Sequence, residues 1–311
     1  MGNLLKGKVA IVTGSGRGIG RAHAIALAAE GAKVVVNDVG VAGDGSGFDK
    51  IPADEVVAEI KGKGGEAVAN YDSVATSEGA ANIIKTATDN FSRLDILVNN
   101  AGFHRRTWSW EMTDEEWDVV IKVHLYGTFY CSREAIRILR QQRSGRIINT
   151  SSAAGFGMAE NSNYSAAKEG IVGLTRALAS ELGGYGITVN AIRPGAGTRE
   201  KQSSTWLETR ARQVGREEAE RMQAAQLQEA PEGCTALVVF LASDIADNVN
   251  GCIFRVKMGE VGIYRDPAYV EERVWKKGNW TPEELVELLP KTLTAGKVRE
   301  LPWGPPQVTS R

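Results

Sequence analysis

Short runs of β-branched and other apolar residues recur along the chain, and stretches with a helical spacing of apolar positions separate them. Several of the runs are apolar at every position, which is typical of strands that helices cover on both faces of a sheet. The pattern predicts seven strands, at residues 9–12, 34–36, 67–69, 96–98, 147–148, 188–192 and 254–256.

The regular alternation of strand and helix favours a parallel sheet in a doubly wound α/β fold. We therefore expect one α/β domain over residues 1–261, without an internal repeat. Its helices are predicted at residues 20–30, 53–63, 78–90, 114–142, 163–182 and 231–241.

A polar, arginine-rich segment at residues 195–230 interrupts this alternation directly after the sixth predicted strand. Ligands of open α/β sheets bind beyond the carboxyl ends of the strands, and long irregular segments are usually functional or disordered. We expect one or two helices here that form a substrate lid. A solvated surface excursion is the alternative.

Residues 262–311 also depart from the alternation of strand and helix. Their six prolines and three tryptophans favour an extended arm. The sequence Thr-Pro-Glu-Glu at residues 281–284 predicts a helix start, with Thr as the cap and Glu closing a capping box. Because free tryptophans would be poorly soluble, we expect this C-terminal arm to pack on its own domain or on a neighbouring subunit. A disordered tail is the alternative.

Composition excludes several classes of protein. With 37 basic and 38 acidic residues, the chain lacks the positive field expected of a nucleic-acid-binding protein. No run of about 18 apolar residues is present, so we expect no membrane contact, and the N-terminus lacks the apolar core of a signal peptide. The three cysteines have neither metal-binding nor redox spacing. We therefore expect no metal site and a reducing, cytoplasmic location.

The first predicted strand runs into the glycine-rich sequence Thr-Gly-Ser-Gly-Arg-Gly-Ile-Gly at residues 13–20, which opens a helix. Glycines allow a tight turn and the close approach of a diphosphate, and the helix N-terminus supplies N–H donors. Asn-Asn-Ala-Gly at residues 99–102 closes the fourth strand with small residues that would admit a cofactor. A structural turn is the alternative for each motif taken alone.

Asp38 ends the second strand, where an acidic side chain can accept hydrogen bonds from an adenosine ribose. It would repel a 2′-phosphate by about 4 kcal/mol at 4 Å and an effective dielectric of 20. An exposed ion pair between that phosphate and Arg17 would contribute only about 0–1 kcal/mol of attraction. The sequence therefore predicts NAD rather than NADP, with a turn-forming Asp38 as the alternative.

Tyr164 and Lys168 are four residues apart on a predicted helix, so their side chains share one face. A free tyrosine has a pKa near 10, and a neighbouring ammonium favours the phenolate. Tyr164 thereby becomes a candidate acid/base for an alcohol or ketone oxygen, and Ser151 or Ser152 follows the fifth strand to bind the same oxygen. An ordinary exposed Tyr–Lys pair is the alternative.

Taken in order, these motifs and the Pro-Gly pair at residues 194–195 make the chain resemble the short-chain dehydrogenase/reductase family over about residues 6–261. The resemblance implies a Rossmann-like, seven-stranded parallel sheet and hydride transfer between a nicotinamide and a carbinol carbon. It makes Tyr164 the acid/base, Lys168 the group that lowers its pKa and holds the nicotinamide ribose, and Ser152, selected over Ser151 by the Ser-Ala-Ala-Gly register, the oxygen-orienting residue. The cofactor-binding residues that motif and resemblance together predict are Gly14, Arg17, Gly18, Ile19, Gly20, Asp38, Asp72, Ser73, Asn99, Ala101, Gly102, Tyr164, Lys168, Pro194, Gly195 and Thr198.

One position departs from the family pattern. The family usually has an asparagine in the long central helix, where it completes a water relay to the lysine, and this chain has His124. Histidine can donate and accept protons near neutral pH, so His124 is a fourth candidate catalytic residue, with a structural role as the alternative. The surrounding Val-His-Leu sequence resembles the 3-hydroxyacyl-CoA dehydrogenase domain of peroxisomal multifunctional enzyme type 2, a branch that also has histidine there.

The closer resemblance implies a 3-hydroxyacyl-CoA-like thioester as substrate, oxidised with NAD. The family resemblance implies a homodimer or homotetramer. Four basic residues could meet the CoA phosphates: Arg105, Arg106, Arg199 and Lys201. Trp108 and Trp110 could instead line a pocket for a steroid or cyclic alcohol. A third hypothesis, motivated by His124 and the arm, is a catalytically silent cofactor-binding subunit of a heteromer.

Overall fold

The computed structural model describes residues 2–43, 45–197, 204–264, 274–277 and 280–293. The chain divides into two compact units, Met1–Tyr264 and Arg265–Arg311. Among the described residues, no helix is both long and apolar enough to cross a bilayer.

One eight-stranded sheet organises the first unit, in the order β3-β2-β1-β4-β5-β6-β7-β8. Neighbouring strands are parallel except for β7 and β8, which are antiparallel. The order reverses direction between β1 and β4, as a doubly wound sheet requires. The strands are β1 Val9–Thr13, β2 Lys33–Asn37, β3 Ala67–Asn70, β4 Ile96–Asn99, β5 Gly145–Thr150, β6 Ile187–Pro194, β7 Ile253–Lys257 and β8 Glu260–Ile263.

The strand count corrects the expectation of seven. All seven predicted strands are present, and β8 is an additional edge strand that returns along β7 through a tight turn. Gly259 supplies the left-handed conformation of that turn, with φ +74°. Strand β8 is short and largely exposed, so it lacks the buried apolar run by which the other strands were predicted.

Helices cover both faces of the sheet, and the predicted helix at residues 114–142 is interrupted. A π-helical turn, Lys122–Tyr126, divides it into α4 and α5 and contains His124. The helices are α1 Gly18–Ala29, α2 Ile51–Gly62, α3 Ser77–Phe91, α4 Asp114–Ile121, α5 Gly127–Gln142, α6 Ser162–Leu182, α7 Ser204–Val214, α8 Arg216–Leu227, α9 Thr235–Ala242 and α10 Pro282–Leu288.

Two large buried clusters form most of the core, one on each face of the sheet. Along β1, Ala10 and Val12 face the cluster that packs on α1, α2 and α9, whereas Val9 and Ile11 face the cluster beneath α3, α5 and α6. This is the two-residue alternation of a strand, with both faces apolar. Because both faces are covered, the loops at the carboxyl edge of the sheet are left to form a site.

The described part of the predicted lid segment, residues 195–197 and 204–230, contains two helices, α7 and α8. Trp206 of α7 is fully buried, and Arg212 forms an ion pair with the buried Glu160, with nitrogen and oxygen 3.2 Å apart. In the second unit, α10 begins with the predicted capping box between Thr281 and Glu284.

His23 gives the fold a testable pH dependence. It lies on α1, is fully buried, and neither ring nitrogen has a hydrogen-bond partner among the described residues. Burial therefore lowers the pKa of His23 from 6.5 to about 4.

Between these two values the unfolded chain binds the proton and the folded chain does not, so acidification below pH 6.5 favours unfolding. We expect His23→Leu to reduce the slope of the free energy of unfolding against pH by up to about 1.4 kcal/mol per pH unit. Urea unfolding of both proteins from pH 8 to pH 5 measures it. Above pH 7 the two pH slopes should agree, and equal slopes below pH 6.5 would contradict the assignment.

Candidate active site

Several positions of the glycine-rich turn between β1 and α1 require a residue without a side chain. Gly14 and Gly18 have φ values of +63° and +54°, a region that disfavours other residues. A Cβ on Gly20 would lie 2.2 Å from the Gly14 carbonyl oxygen. The backbone is thus open at the N-terminus of α1, where N–H groups and the helix dipole favour an anionic group.

Hydrogen bonds fasten this turn to the end of β4. The Asn100 side chain donates to the carbonyl oxygens of Thr13 and Gly14, each at 3.0 Å. The Thr13 hydroxyl in turn accepts from the backbone N–H groups of Asn100 and Ala101, at 3.0 and 3.1 Å. The two glycine motifs of the sequence therefore form one structure at the carboxyl edge of the sheet.

Asn99 has a different environment from its neighbour. Its side-chain nitrogen donates to Ser132 Oγ at 3.0 Å and to Asn149 Oδ1 at 2.9 Å, inside the protein. The side chain is buried and joins β4 to β5 and α5. Any contact of Asn99 with a cofactor would therefore involve its backbone.

Asp38 lies directly against the glycine turn. One carboxylate oxygen accepts from Gly16 N and the other from Gly40 N, both at 2.7 Å. Arg17 points to Asp49, with 3.8 Å between the charged atoms, so it does not neutralise Asp38. A fixed negative charge thus lies beside the second strand end.

The end of β3 supplies a second polar cluster. Asp72 accepts hydrogen bonds from the side chains of Asn70 and Asn82, at 2.8 and 3.1 Å. The Ser73 hydroxyl accepts from Ala75 N at 3.2 Å. These contacts hold both predicted residues at the same sheet edge as Asp38.

The structure separates the roles of the two serines after β5. Ser151 is buried and its hydroxyl donates to the Lys168 carbonyl oxygen at 2.8 Å, so its proton is used within the protein. Ser152 is only partly buried, and its oxygen accepts from Ala154 N at 3.2 Å, which leaves its proton available. Ala154 packs in one cluster with Tyr164, so Ser152 is the serine suited to bind a substrate oxygen.

Tyr164 and Lys168 lie together near the N-terminus of α6. The Lys168 ammonium nitrogen is 5.5 Å from the centre of the Tyr164 ring and donates to the Thr150 carbonyl oxygen at 2.6 Å. Lys168 is only 3% exposed, and this burial lowers its pKa from 10.5 to about 7. Lys168 can thus gain or lose a proton near neutral pH beside the Tyr164 ring.

His124 packs against the edge of the same ring. The two ring centres are 5.1 Å apart at an angle of 83°, and His124 Nε2 lies 3.1 Å from Phe103 N and 2.8 Å from Phe103 O. Burial, and then the charge of Lys168, hold the pKa of His124 well below 6.5, so the imidazole is neutral. A Cβ on Gly102 would come within 2.1 Å of this imidazole, so Gly102 makes room for His124.

His104 is a residue that the sequence reasoning missed. Its imidazole stacks on the Tyr164 ring, with centres 3.9 Å apart and planes inclined by 29°. The available signal was its position two residues after the Asn-Asn-Ala-Gly motif, where β4 has ended and the chain turns into the site.

The end of β6 places Pro194 and Gly195, two further predicted cofactor-binding residues, at the carboxyl edge of the sheet. Gly195 N donates to Val256 O at 2.8 Å, and a Cβ at Gly195 would lie 3.2 Å from the Lys257 Cβ atom. Pro194 is the last residue of β6. Thr198, Arg199 and Lys201 lie outside the described residues.

Taken together, the open glycine turn, the helix N-terminus and the carboxylate of Asp38 fit a dinucleotide, and the Tyr164 cluster is built at the same edge of the sheet. The short chain dehydrogenase family model matches residues 8–206, almost two thirds of the chain. The chain belongs to this family. It is therefore an oxidoreductase, and such dehydrogenases use NAD(P).

Three similar proteins support the assignment of this chain to the short chain dehydrogenase family. It is 43% identical to mouse peroxisomal multifunctional enzyme type 2 over 262 residues, which cover 83% of this chain and only 33% of that enzyme. It is 39% identical to the hydroxyacyl-CoA dehydrogenase ChsB1 of Mycobacterium tuberculosis, covering 92% of this chain and 88% of that protein. A crystal structure of a short chain dehydrogenase from Mycobacterium avium has 42% identity and a TM-score of 0.78, covering 94% and 96% of the two chains.

The extents of these matches differ at the C-terminus. The chain spans a third of the length of the mouse enzyme, whereas it spans most of ChsB1. Because 92% of this chain is aligned with ChsB1, that alignment extends into the unit Arg265–Arg311.

A matched pair of glycine substitutions tests the turn. Gly20→Ala places a methyl group 2.2 Å from the Gly14 carbonyl oxygen, whereas a Cβ at Gly62 in α2 meets nothing within 4 Å. Overpacking typically costs about 1–3 kcal/mol, so Gly20→Ala should weaken dinucleotide binding roughly tenfold to a hundredfold. Fluorescence titration with NADH and NADPH measures the change, and Gly62→Ala should bind like wild type. Equal affinities for the two variants would be incompatible with a dinucleotide at this turn.

Proposed function

We propose that this dehydrogenase uses NAD to interconvert a secondary alcohol and a ketone, with a 3-hydroxyacyl-CoA-like thioester as the substrate class. The observation that carries the proposal is the buried contact of Lys168 with Tyr164, together with Ser152, which is hydrogen-bonded to Ala154 in the cluster that contains Tyr164. These are the acid/base, the cation and the hydroxyl donor that carbinol oxidation requires.

In the oxidation direction, the Tyr164 phenolate accepts the proton of the substrate hydroxyl. Ser152 donates a hydrogen bond to the carbinol oxygen, since its own oxygen is already engaged with Ala154 N. Lys168, when protonated, favours the phenolate, and the Thr150 carbonyl oxygen orients its ammonium group. The bound dinucleotide supplies a nicotinamide ring that accepts hydride.

The neutral state of His124 assigns it a supporting role in this scheme. An imidazole whose pKa is held well below 6.5 does not take up a second proton to become imidazolium at neutral pH. His124 instead connects the ring of Tyr164 to the Phe103 backbone. We propose that it maintains the geometry of the site.

Two observations support the thioester as substrate class. The M. tuberculosis relative is named as a hydroxyacyl-CoA dehydrogenase, and the mouse relative is a peroxisomal multifunctional enzyme. Arg105 and Arg106 directly follow His104, whose imidazole stacks on Tyr164, and Arg105 also lies 3.7 Å from the Glu115 carboxylate. Guanidinium groups bind phosphate oxygens well.

A steroid or cyclic alcohol is the second candidate, and the indoles of Trp108 and Trp110 favour it. Their centres lie 4.8 Å apart with planes inclined by 12°, and Trp110 is 76% exposed. Comparing kcat/KM for 3-hydroxyacyl-CoA and hydroxysteroid substrates decides between the two. The catalytically silent subunit has no such support, because family membership and the Ser152–Tyr164–Lys168 set both favour an active enzyme.

The role of Tyr164 is tested by Tyr164→Phe, which removes only the hydroxyl. We expect kcat to fall about 10²–10⁴-fold, the range of general acid–base catalysis, while the dissociation constant of NADH stays within twofold. Tyr185→Phe is the matched control, because Tyr185 follows the far end of α6 and contacts Arg140 instead. A Tyr164→Phe enzyme with the wild-type rate would reject the proposed mechanism.

Asp38 accounts for the proposed preference for NAD. A 2′-phosphate placed about 4 Å from its carboxylate would lose about 4 kcal/mol, so kcat/KM for NAD should exceed that for NADP by about a hundredfold or more. Asp38→Ala should reduce this ratio at least tenfold. Steady-state kinetics with both cofactors measure it, and an unchanged ratio in the variant would show that Asp38 is not the discriminating group.

We also propose a homodimer or homotetramer in a reducing compartment such as the cytoplasm. Large apolar side chains are exposed along α4, the π-turn and α5, which suits a subunit contact: Trp117, Tyr126 and Phe129. All three cysteines are free thiols, as expected in a reducing environment.

A further inference from the structure

We propose that His104 is a positioning residue for Tyr164, whose imidazole fixes the plane of the phenol ring in the reactive orientation. The inference rests on the proposed role of Tyr164. It concerns a residue outside the Ser–Tyr–Lys set and distinct from His124.

The contact between the two rings is close and nearly parallel. Aromatic pairs usually have centres 4.5–7 Å apart, whereas those of His104 and Tyr164 are separated by 3.9 Å at an inclination of 29°. One face of the phenol is therefore covered by the imidazole. A rotation of Tyr164 that swung its hydroxyl away from the substrate would break this stack.

The backbone holds His104 in place from both sides. The preceding residue, Phe103, contacts His124 Nε2 through its backbone N–H and carbonyl groups. The carbonyl oxygen of the following residue, Arg105, accepts a hydrogen bond from Asn163 Nδ2 at 3.2 Å. The segment that carries His104 is thus tied both to the π-turn and to the residue next to Tyr164.

Asn161 holds the imidazole itself. Its Oδ1 lies 3.5 Å from His104 Nδ1, while its Nδ2 donates to the Ala159 carbonyl oxygen at 3.2 Å. Asn161 is fully buried at the start of α6, and its own carbonyl oxygen accepts from Ser165 N at 2.7 Å. The imidazole of His104 and the phenol of Tyr164 are therefore both held at the N-terminal end of α6.

This arrangement bears on rate rather than on affinity. A general base must lie within hydrogen-bond reach of the proton that it removes, and a small misplacement of a reacting group can greatly reduce the rate. Binding of the dinucleotide at the glycine turn does not require the stack. Loss of the stack should therefore appear in kcat and leave KM and the cofactor affinity nearly unchanged.

The test compares three substitutions at this position. His104→Leu and His104→Gln remove the aromatic ring, and His104→Phe keeps a ring that can stack. From the strength of aromatic pairs we expect the first two to lower kcat about tenfold. His104→Phe should stay within about twofold of wild type. KM and the dissociation constant of NADH should change less than twofold in all three.

Tyr185→Leu is the control for removing a partly buried aromatic side chain, since Tyr185 lies beyond the other end of α6, about 30 Å away along the helix axis. It should keep the wild-type kcat. Thermal unfolding identifies a variant that does not fold, and if His104→Leu fails, the comparison of His104→Gln with His104→Phe decides.

Three results would overturn the proposal: wild-type kcat without the ring, a His104→Phe enzyme as slow as the ringless variants, or a loss confined to KM. Its failure is distinguishable from that of the proposed function. An active Tyr164→Phe enzyme rejects the function, whereas an inactive Tyr164→Phe with a fully active His104→Leu rejects only the role of His104.

Discussion

The hydrogen bonds that join the ends of β1 and β4 are the contact on which the remainder of the site depends. Asn100 donates to two carbonyl oxygens of the glycine turn, and Thr13 accepts from two N–H groups of the β4 loop. They fix the open turn at the switch point of the sheet, and they also fix the direction in which the chain leaves β4. That direction carries Gly102, Phe103 and His104 to the Tyr164 ring.

The Tyr164 ring is correspondingly enclosed. His104 stacks on it, His124 meets its edge, and the Lys168 ammonium nitrogen lies 5.5 Å from its centre. Burial keeps His124 neutral and lowers the pKa of Lys168 to about 7, so the group beside the phenol that gains or loses a proton near neutral pH is the lysine. The histidines supply shape and orientation, and the lysine supplies the charge.

Much of this arrangement could be predicted from the sequence, because it follows local rules. Seven strands are recognisable as short runs rich in apolar residues, and the four-residue spacing of Tyr164 and Lys168 places them on one helix face. Strand β8 could not be predicted in this way, since its existence depends on pairing with β7 and its residues are exposed. The π-turn at His124 and the stacking of His104 arise from contacts between distant segments, which no local pattern encodes. The sequence favoured Ser152 over Ser151 only by resemblance, whereas the bond from Ser151 to the Lys168 carbonyl oxygen provides a physical reason.

The most direct test of the account is a crystal structure of the dehydrogenase with NAD and a slowly reacting 3-hydroxyacyl-CoA analogue. The account predicts the nicotinamide beside Tyr164, with the phenol oxygen and Ser152 Oγ each about 2.6–3.2 Å from the carbinol oxygen. A bound carbinol whose oxygen meets neither hydroxyl group, or a dinucleotide placed away from the glycine turn, would contradict it.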